Sequence, residues 1–502
     1  MDWMKLKSGS DVRGIAVGEN AVLTAEVAQA LGSAFARWVA NRKGQNTNQV
    51  TIAIGRDSRI SGPDLLQAAA EGVCMTGANV WDFGMCTTPA MYMSTITTGF
   101  MADGAIMITA SHHPWDKNGL KFFTSESGLE GKEVEELICS AQQTKRTSEP
   151  LKGEITKRAF LPVYSDQLAE RIRTGLNTKD EKPLTGLHVV VDAGNGAGGF
   201  YADLLTRLGA DTTGSQFLNP DGMFPNHIPN PENADAIHAL QQAVLNSGAD
   251  LGVIFDTDCD RAAVCDADGR EINRNRLIAL ISAILLEKTK KQIVVTDSVT
   301  SSGLKDFITS LGGEHYRYKR GYRNVIDEAI RLNAEGRNCP IAIETSGHAA
   351  LKENHFLDDG MYLVTVMIVK AMQLKRNGHS LGCLISGLKE PAESCEIRMN
   401  ITDPDFRAKG KEVIQQVTAY AEISNEWHIA PDNREGIRIS FDINGQPEAG
   451  WFLLRLSVHD PVMPLNLESD VQGGNQFMLR KLYGILKDIP GIDLGNMEKA
   501  IG

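Results

Sequence analysis

The sequence lacks paired cysteines and long apolar runs. Eight cysteines are scattered over 502 residues without a CxxC pair, and two of them, Cys259 and Cys265, lie in or beside strand-like runs. This pattern disfavours a disulfide framework or a zinc site, and it predicts reduced, mostly buried thiols. No segment is of low complexity, and no apolar run is long enough to span a membrane.

The start of the chain, MDWMKLKSGSDVRG, lacks the apolar region of a signal peptide. The stretch 276–291 indicates an amphipathic helix that ends in cations, not a membrane span. The formal net charge is −12, so nucleic acid is disfavoured as a partner and any anionic ligand must be held by local basic residues. We expect a cytoplasmic protein that binds neither membrane nor nucleic acid; the sequence indicates no oligomeric state.

Strand-like and helix-like patterns alternate along the chain, which at 502 residues is too long for one hydrophobic core. A strand–turn–helix pattern runs over 49–77 and recurs over 184–211 and over 290–316. These repeats predict three α/β domains with mixed or parallel sheets. A hairpin pattern at 436–458, followed by a terminal helix, predicts a smaller α+β domain at the end.

A short apolar run, 105–108, leads directly into TASHHPWDKNGLKF at 109–122. A strand that ends in a hydroxyl (Ser111), two imidazoles and a lysine no longer serves only the core. A second apolar run, 251–255, ends in Asp256, Asp258 and Asp260. Three carboxylates at alternate positions repel one another unless a cation lies between them, and Mg²⁺ prefers oxygen ligands. The alternatives are a solvated acidic turn and half of an EF-hand-like loop, but the latter needs a glutamate at the position where Ala267 stands.

Two further turns follow apolar runs. GNGAGG at 194–199 matches a dinucleotide-binding pattern, but no acidic residue follows where that fold needs one, so a tight turn with close helix packing is favoured. ETSGH at 344–348 supplies a carboxylate, a hydroxyl and an imidazole, which suit vicinal sugar hydroxyls. The alternative for this segment is a capped helix start.

Taken together and in order, these segments resemble the α-D-phosphohexomutase superfamily, whose members move a phosphoryl group between C1 and C6 of a hexose. TASHHPWDKNGLKF is similar to the phosphoserine loop of the family, DTDCDR at 256–261 to its metal loop and ETSGH to its sugar loop. GSDVRG, GRDSR, VDAGNGAGG and FPNHIPNP are also similar to family segments. The resemblance covers nearly the whole chain.

The resemblance implies a four-domain α/β architecture around a central cleft. The expected domains are 1–160 with the phosphoserine loop, 161–275 with the metal loop, 276–390 with the sugar loop, and an α+β domain at 391–502 with a phosphate-binding loop. It also implies that the protein is an enzyme, an intramolecular phosphotransferase of the phosphoglucomutase/phosphomannomutase type. Mg²⁺ is the implied metal, and glucose 1,6-bisphosphate the implied activator and phosphoryl donor.

Residue roles follow from the matching positions. Ser111 is implied to carry the phosphoryl group, and Mg²⁺ to be held by a phosphoserine oxygen together with Asp256, Asp258 and Asp260. Lys121 is expected to act as general acid and base with a depressed pKa, with catalytic help from Arg13, His112 and His348; His113 is expected to be structural. The implied substrate contacts are Arg261, Lys319, Arg320, Gly321, Arg323, Glu344, Ser346, His348, Arg455, Ser457 and His459.

The sequence departs from the family at the fourth-domain loop, where RLSVHDP (455–461) replaces Arg-Pro-Ser-Gly/Asn-Thr-x-Pro. Val458 is β-branched and disfavours the positive φ of an anion-binding nest, whereas a protonated His459 would compensate. Arg434 and Arg438 are the other cations expected near this loop. The way in which this loop binds the non-reacting phosphate is therefore predicted to be altered.

Three functions remain in play. The first is a mutase that interconverts hexose 1- and 6-phosphates through a bound bisphosphate. The second is a hexose 1,6-bisphosphate synthase that uses the same phosphoserine but releases the bisphosphate, and the third is a sugar-phosphate sensor without catalysis. The intact serine, aspartates and lysine disfavour the sensor. Glucose and mannose are both expected substrates, because Glu344 and Ser346 would contact oxygens that the two sugars share.

Overall fold

The structure is a computed structural model that describes residues 2–143, 152–457 and 460–502. Its chain divides into two compact units. One unit runs up to Asn273 and includes Ser346–Cys383, and the other comprises Arg274–Thr345 and Leu384–Gly502. The boundaries predicted at 160, 275 and 390 remain predictions.

The first part of the first unit is a mixed sheet covered by helices. Its strands are β1 (Lys7–Ser8), β2 (Asp11–Ile15), β3 (Thr51–Arg56), β4 (Asn79–Met85), β5 (Gly104–Ile108), β6 (Lys117–Phe123) and β7 (Ile155–Lys157), and its helices are α1 (Ala25–Lys43), α2 (Gly62–Met75), α3 (Thr88–Ile96) and α4 (Gly131–Gln143). The strand order is β1-β2-β6-β5-β3-β4-β7, with β3, β4, β5 and β7 parallel. Helices α1 and α2 pack so closely at Gly72 that a Cβ there would lie 1.8 Å from the carbonyl oxygen of Gln29, and only glycine fits.

The next part of the first unit places the aspartates at the end of a buried hairpin. Its elements are α5 (Leu161–Gly175), β8 (Val189–Asp192), α6 (Phe200–Arg207), α7 (Ala234–Ser247), β9 (Leu251–Phe255), β10 (Ala262–Asp266) and β11 (Glu271–Ile272). The strand order is β11-β10-β9-β8. Strands β9 and β10 are antiparallel and fully buried, and the loop between them carries Asp256, Asp258 and Asp260. The GNGAGG turn packs tightly, since a Cβ at Gly199 would lie 2.1 Å from the Leu218 carbonyl oxygen.

The second unit begins with α8 (Asn275–Lys288), β12 (Ile293–Thr296), α9 (Ser302–Ser310), β13 (Glu314–Arg317), α10 (Tyr322–Ala334) and β14 (Ile341–Ile343). Strands β13, β12 and β14 are parallel neighbours in that order. The chain then contributes to the first unit the hairpin β15 (Ala349–Leu351) and β16 (Leu357–Asp358) and the buried helix α11 (Gly360–Lys375). Helix α11 packs on α5, where the Tyr164 hydroxyl donates to Asp359 over 2.7 Å.

The last part of the second unit is a β-rich α+β domain. Its elements are β17 (Glu393–Ile401), α12 (Phe406–Ile423), β18 (Trp427–Ile429), β19 (Ile437–Ile443), β20 (Gln446–Leu454), β21 (Val462–Ser469), α13 (Gly474–Leu486), β22 (Ile492–Asp493) and α14 (Gly495–Ile501). The strand order is β18-β19-β20-β21-β17-β22. The predicted hairpin is β19 and β20, and its turn is Asn444-Gly445 with φ of 53° and 78°, as a two-residue hairpin turn requires.

The predicted fold class, three α/β domains followed by a smaller α+β domain, is confirmed. All eight cysteines lie in the described part of the chain and none of them is in a disulfide; Cys139 and Cys383 are exposed, and five others are buried. Among the described residues, no helix is both long and apolar enough to cross a bilayer.

Candidate active site

Ser111 lies at the end of β5 in a constrained loop. Its φ is 52°, a left-handed conformation that is uncommon outside glycine, and its side chain is buried. The Ser111 N–H donates to Thr109 Oγ1 over 2.9 Å. The fully buried Arg59 donates to backbone carbonyls of this loop, those of Ser111, His113, Pro114 and Lys117. The surrounding chain therefore holds the serine in this backbone conformation.

Three polar groups surround the Ser111 hydroxyl. Ser111 Oγ donates to Asp256 Oδ2 over 2.7 Å and lies 3.3 Å from His112 Nδ1. The buried guanidinium of Arg261 donates to Ser111 Oγ over 3.3 Å and to Asp256 Oδ2 over 3.3 Å. A carboxylate that accepts the hydroxyl proton and a cation beside the oxygen are what a serine that gains and loses a phosphoryl group needs.

The three aspartates are buried, so the solvated acidic turn is wrong. Asp256, Asp258 and Asp260 are at most 2% exposed, and one oxygen from each can be chosen so that all lie within 4.8 Å. Burial and the neighbouring charges of Asp260 and Asp258 raise the pKa of Asp256 well above its usual value. Asp258 Oδ1 and Asp260 Oδ1 are buried without a hydrogen-bond partner among the described residues. Buried carboxylate oxygens left this way fit a hard divalent cation.

Lys121, on β6, faces the aspartates. Its Nζ donates to Asp258 Oδ2 over 2.9 Å and also to Asp260 Oδ2. Burial by itself lowers the pKa of Lys121, but Asp258 and Asp260 outweigh it and hold the pKa well above the ordinary value. The predicted depressed pKa of Lys121 is therefore wrong for this structure. In turn, the positive charge of Lys121, together with those of His348 and Arg261, holds the pKa of Asp260 below its usual range against the effect of burial.

The two histidines at this centre have opposite character. Burial, aided by the Arg261 and His113 charges, lowers the pKa of His112 to about 2, so its imidazole is neutral. His348 contacts Asp358 Oδ2 through Nδ1 at 2.5 Å. Although burial lowers the pKa of His348, Asp358 and Asp260 raise it to about 9, so this ring carries a proton at neutral pH. His113 stacks on His112 with ring centroids 5.0 Å apart.

Other predicted residues of the first unit lie around this centre. Arg13 is on β2, next to β6, and its guanidinium pairs with Asp11 at 2.7 Å. Arg261 and His348 form an isolated β-bridge, so the 346–348 segment lies against the aspartate loop. The first unit therefore brings together Ser111, His112, Lys121, Asp256, Asp258, Asp260, Arg261 and His348.

The second unit holds a separate group of predicted substrate residues. Gly321 has a φ of 116°, and its N–H donates to Glu344 Oε1 over 2.6 Å. The Arg320 N–H donates to Glu435 Oε2 over 3.1 Å, and the Ser298 hydroxyl donates to the same oxygen. Arg323 pairs with Asp327 on its own helix, and the Lys319 Nζ lies 5.9 Å from the centre of the Tyr318 ring.

The structure describes the fourth-domain loop up to Ser457 and again from Asp460. Val458 and the predicted substrate contact His459 lie outside the described residues. Arg455 is 9% exposed, and its Nε is buried without a hydrogen-bond partner among the residues described. Burial and the charge of Arg320 lower the pKa of Arg455, while Glu435 opposes them. The Ser457 Oγ accepts from the Asp460 N–H over 3.3 Å.

The two further cations proposed near this loop are engaged in the fold. Arg434 stacks on Tyr316 at 3.9 Å from the ring centre and donates to the Arg317 carbonyl. Arg438 is buried, lies 3.5 Å from the centre of the Trp451 ring and donates to the Ser298 carbonyl.

Sequence reasoning missed three residues that orient the site. Thr88, at the start of α3, donates to Asp258 Oδ2. Asp358 holds the proton on His348, and Arg59 carries the Ser111 loop. Asp358 follows an apolar residue at the end of a strand, as the metal aspartates do, and that pattern could have identified it. Arg59 ends the GRDSR segment, whose similarity to the family could have identified it, whereas Thr88 carries no comparable signal.

Models of known protein families match most of the chain. Family models described as phosphoglucomutase/phosphomannomutase, alpha/beta/alpha domains I, II and III, match residues 4–149, 162–269 and 273–390. Together these matches run from the first strands through the segment that carries the third predicted domain.

Individual relatives agree along almost the full length. The chain is 30% identical to a phosphomannomutase of Escherichia coli, with 91% of this chain and 93% of the relative covered. It is 29% identical to a phosphoglucomutase of Neisseria gonorrhoeae, with 96% of each covered. A crystal structure of a phosphoglucomutase/phosphomannomutase family protein from Burkholderia thailandensis superposes with a TM-score of 0.79 at 27% identity, covering 98% of this chain and 99% of the other.

Proposed function

The chain belongs to the α-D-phosphohexomutase superfamily and is a phosphohexomutase, and on that premise we propose that it interconverts the 1- and 6-phosphates of glucose and mannose through a phosphorylated Ser111. The observation that carries the proposal is the buried Ser111 hydroxyl, which contacts Asp256, His112 and Arg261 at 2.7–3.3 Å. Glu344 and Ser346 are the proposed contacts to sugar hydroxyls that the two hexoses share.

The same residues move the proton of the serine. When Oγ takes a phosphoryl group from a hexose 1,6-bisphosphate, the O–P bond to the sugar breaks and the Oγ proton passes toward Asp256 Oδ2, to which it already donates. Neutral His112, 3.3 Å away, offers a second acceptor. His348 gives its proton to the sugar oxygen that is released. In the opposite transfer, a sugar hydroxyl takes the phosphoryl group and returns its proton to His348, the Oγ–P bond breaks, and Oγ regains its proton from Asp256. Arg261 stabilises the negative oxygen in both directions.

Lys121 and His348 enter the reaction as acids. Each carries a proton in the substrate-free enzyme because carboxylates face it, Asp258 and Asp260 for Lys121 and Asp358 for His348. Both therefore supply positive charge and a proton to oxygens that become negative. His348 is the proposed proton donor on the side of the sugar.

Magnesium is the proposed metal, held by Asp256, Asp258, Asp260 and an oxygen of phosphorylated Ser111. The fit rests on the two buried aspartate oxygens that have no hydrogen-bond partner among the described residues. When bound, Mg²⁺ supplies positive charge that neutralises the transferring phosphoryl group.

Phosphorylation and turnover of a Ser111→Ala variant test the proposal. Intact mass and peptide mapping of wild type should find phosphate on Ser111, and the variant should lack both that phosphate and mutase activity. Ser125→Ala, an exposed serine of the same domain, is the matched control and should keep both. Full activity of Ser111→Ala would end the proposal.

A second candidate, release of hexose 1,6-bisphosphate as product, is favoured by one observation. The Glu435 carboxylate accepts hydrogen bonds from the Arg320 N–H and the Ser298 hydroxyl, so an anion of the protein competes with the distal phosphate there. Rapid mixing of phosphorylated enzyme with glucose 1-phosphate separates the two functions. A mutase yields mostly glucose 6-phosphate in the first turnover, whereas a synthase yields mostly free bisphosphate.

A further inference from the structure

A cleft of about 650 Å³ opens on the first domain, beside the carboxyl ends of β3, β4 and β7. Its lining includes Arg56, Leu66, Asp82, Phe83, Lys157 and Arg158. No residue that contacts the Ser111 hydroxyl lines it. Ligand sites usually measure 300–1,000 Å³, and in open α/β sheets they lie at the carboxyl ends of strands.

The lining carries more positive than negative charge, although the whole chain has a net charge of −12. Three cations, Arg56, Lys157 and Arg158, face a single carboxylate, Asp82. Asp82 Oδ1 accepts the Gly84 N–H over 2.8 Å and is thereby turned to its own backbone. Six other Arg or Lys side chains of this domain (Lys7, Arg13, Arg42, Lys43, Arg59 and Lys121) pair with carboxylates, whereas these three cations form no ion pair among the described residues.

Both arginines are held in place by neutral contacts. The Arg158 guanidinium lies 4.3 Å from the centre of the Trp81 ring and 4.0 Å from that of Phe100, and it donates to the Gly99 carbonyl over 3.2 Å. Arg56 Nη1 donates to the Asp57 carbonyl over 2.9 Å. These contacts use few of the five N–H donors of each guanidinium. A positioned guanidinium loses little side-chain entropy on binding and matches phosphate oxygens in pairs.

The backbone at the cleft is also irregular. The pairing of β3 with β4 shifts register between Ile54 and Gly55, and Gly84 on the other strand has a φ of 62°. A bulge of this kind re-aims the chain at a strand end and is frequent beside binding sites. Arg56 directly follows the shift, so its side chain leaves the sheet at the cleft.

We propose that this cleft binds a small phosphorylated metabolite, separately from the substrate at Ser111. Two guanidinium groups and one ammonium group hold the phosphate oxygens, and the apolar side chains of Leu66 and Phe83 lie beside the body of the ligand. The segment that begins at Arg56 also carries Arg59, which holds the Ser111 loop. The ligand therefore binds to the segment that supports the phosphoserine loop. The proposal does not depend on the substrate of the enzyme.

Inorganic pyrophosphate is a suitable probe because it carries two phosphates and no sugar. Binding to the full-length protein is measured by isothermal titration and by hydrogen exchange with mass spectrometry at 0.15 M salt. We expect pyrophosphate to slow exchange in peptides that cover 79–85 and 155–160. An Arg56→Gln/Lys157→Gln variant should lose that protection and bind at least tenfold more weakly at this site.

Two further variants make the result specific. Arg37→Gln/Lys132→Gln removes one arginine and one lysine charge from exposed positions of the same domain and should bind as wild type does. Ala159→Trp fills the cleft without changing its charge and should abolish the protection of 79–85 and 155–160. Equal loss of binding in the two double variants would show charge attraction without a site. Absence of protection at these peptides in wild type, or its persistence in Arg56→Gln/Lys157→Gln, would also overturn the proposal.

Discussion

Lys121 shows how the protonation of one residue is set by residues far away in the chain. Its two carboxylate partners, Asp258 and Asp260, are 137 and 139 positions distant. Burial without a partner lowers the pKa of a lysine, and burial against two carboxylates raises it. The lysine is therefore the counterion of the aspartates in the substrate-free protein, and it is an acid in the proposed reaction.

Removal of this charge should cost both activity and stability. We expect Lys121→Met to lower kcat by at least about 100-fold, the usual contribution of a positioned acid or base. It should also lower the melting temperature in EDTA, because Asp258 and Asp260 then lack a counterion, and added Mg²⁺ should restore much of the loss. Lys121→Arg keeps the charge and should melt like wild type. A Lys121→Met enzyme with normal kcat would exclude the acid role.

His315 gives the second unit a dependence on pH. The ring is buried, with Nε2 2.8 Å from Thr296 Oγ1, and burial beside Arg317, Arg438 and Lys305 holds its pKa well below the ordinary value. The folded state keeps this ring neutral, whereas the unfolded chain takes up a proton below its ordinary pKa of about 6.5. The free energy of unfolding should therefore fall as pH drops below 6.5, by up to about 1.4 kcal/mol per pH unit.

Urea unfolding between pH 7 and pH 5 measures this slope. A His315→Gln variant is expected to be less stable at pH 7 but to lose less stability on acidification. His238→Gln changes an exposed histidine and should leave the slope as in wild type. Equal slopes for His315→Gln and wild type would show that the proton uptake occurs elsewhere.

At the scale of strands and loops, the sequence predicted the sites that follow a single buried run. β5 leads to Ser111 and β9 to Asp256, so the apolar runs that end in polar residues lead to side chains that the structure brings together. The hairpin of β19 and β20 was predictable for the same reason, because Asn-Gly needs no tertiary context to form its turn. What pattern reading could not supply is pairing across elements, such as Thr88 with Asp258 or Arg434 with Tyr316.

The loops of the second unit yield a prediction about binding. The Glu435 carboxylate accepts a hydrogen bond from the Arg320 N–H. Its negative charge also raises the pKa of Arg455, whereas burial lowers it. If the distal phosphate binds to Arg320 and Arg455, it displaces this carboxylate. We expect Glu435→Gln to lower the KM for hexose phosphate at least threefold and Arg455→Ala to raise it at least tenfold, about 1.4 kcal/mol.

Steady-state kinetics of both variants provide the check. Glu422→Gln removes an exposed carboxylate of the same domain and serves as the control for net charge. A rise in KM for Glu435→Gln, equal to that for Arg455→Ala, would mean that the carboxylate supports binding. An unchanged KM for Arg455→Ala would place the distal phosphate elsewhere.

At the scale of the whole molecule, the two units carry different parts of the proposed reaction. Ser111, the three aspartates, Lys121 and His348 all belong to the first unit, and Arg320, Glu344 and Arg455 belong to the second. The residues proposed for phosphoryl transfer therefore belong to one unit, and the proposed contacts to the distal phosphate belong to the other.

This division predicts where Mg²⁺ acts on the structure. Three buried carboxylates repel one another, so a cation among them should stabilise the loops that carry them. In hydrogen exchange without substrate, Mg²⁺ compared with EDTA should slow exchange in peptides that cover 103–123, 251–266 and 346–360, all of the first unit. Peptides of 293–343 and 436–454 in the second unit should not change. Asp258→Asn should abolish the effect, and Asp203→Asn, an exposed aspartate of the first unit, should retain it. Slower exchange spread equally over both units would show that Mg²⁺ acts by general charge screening and not at the aspartate loop.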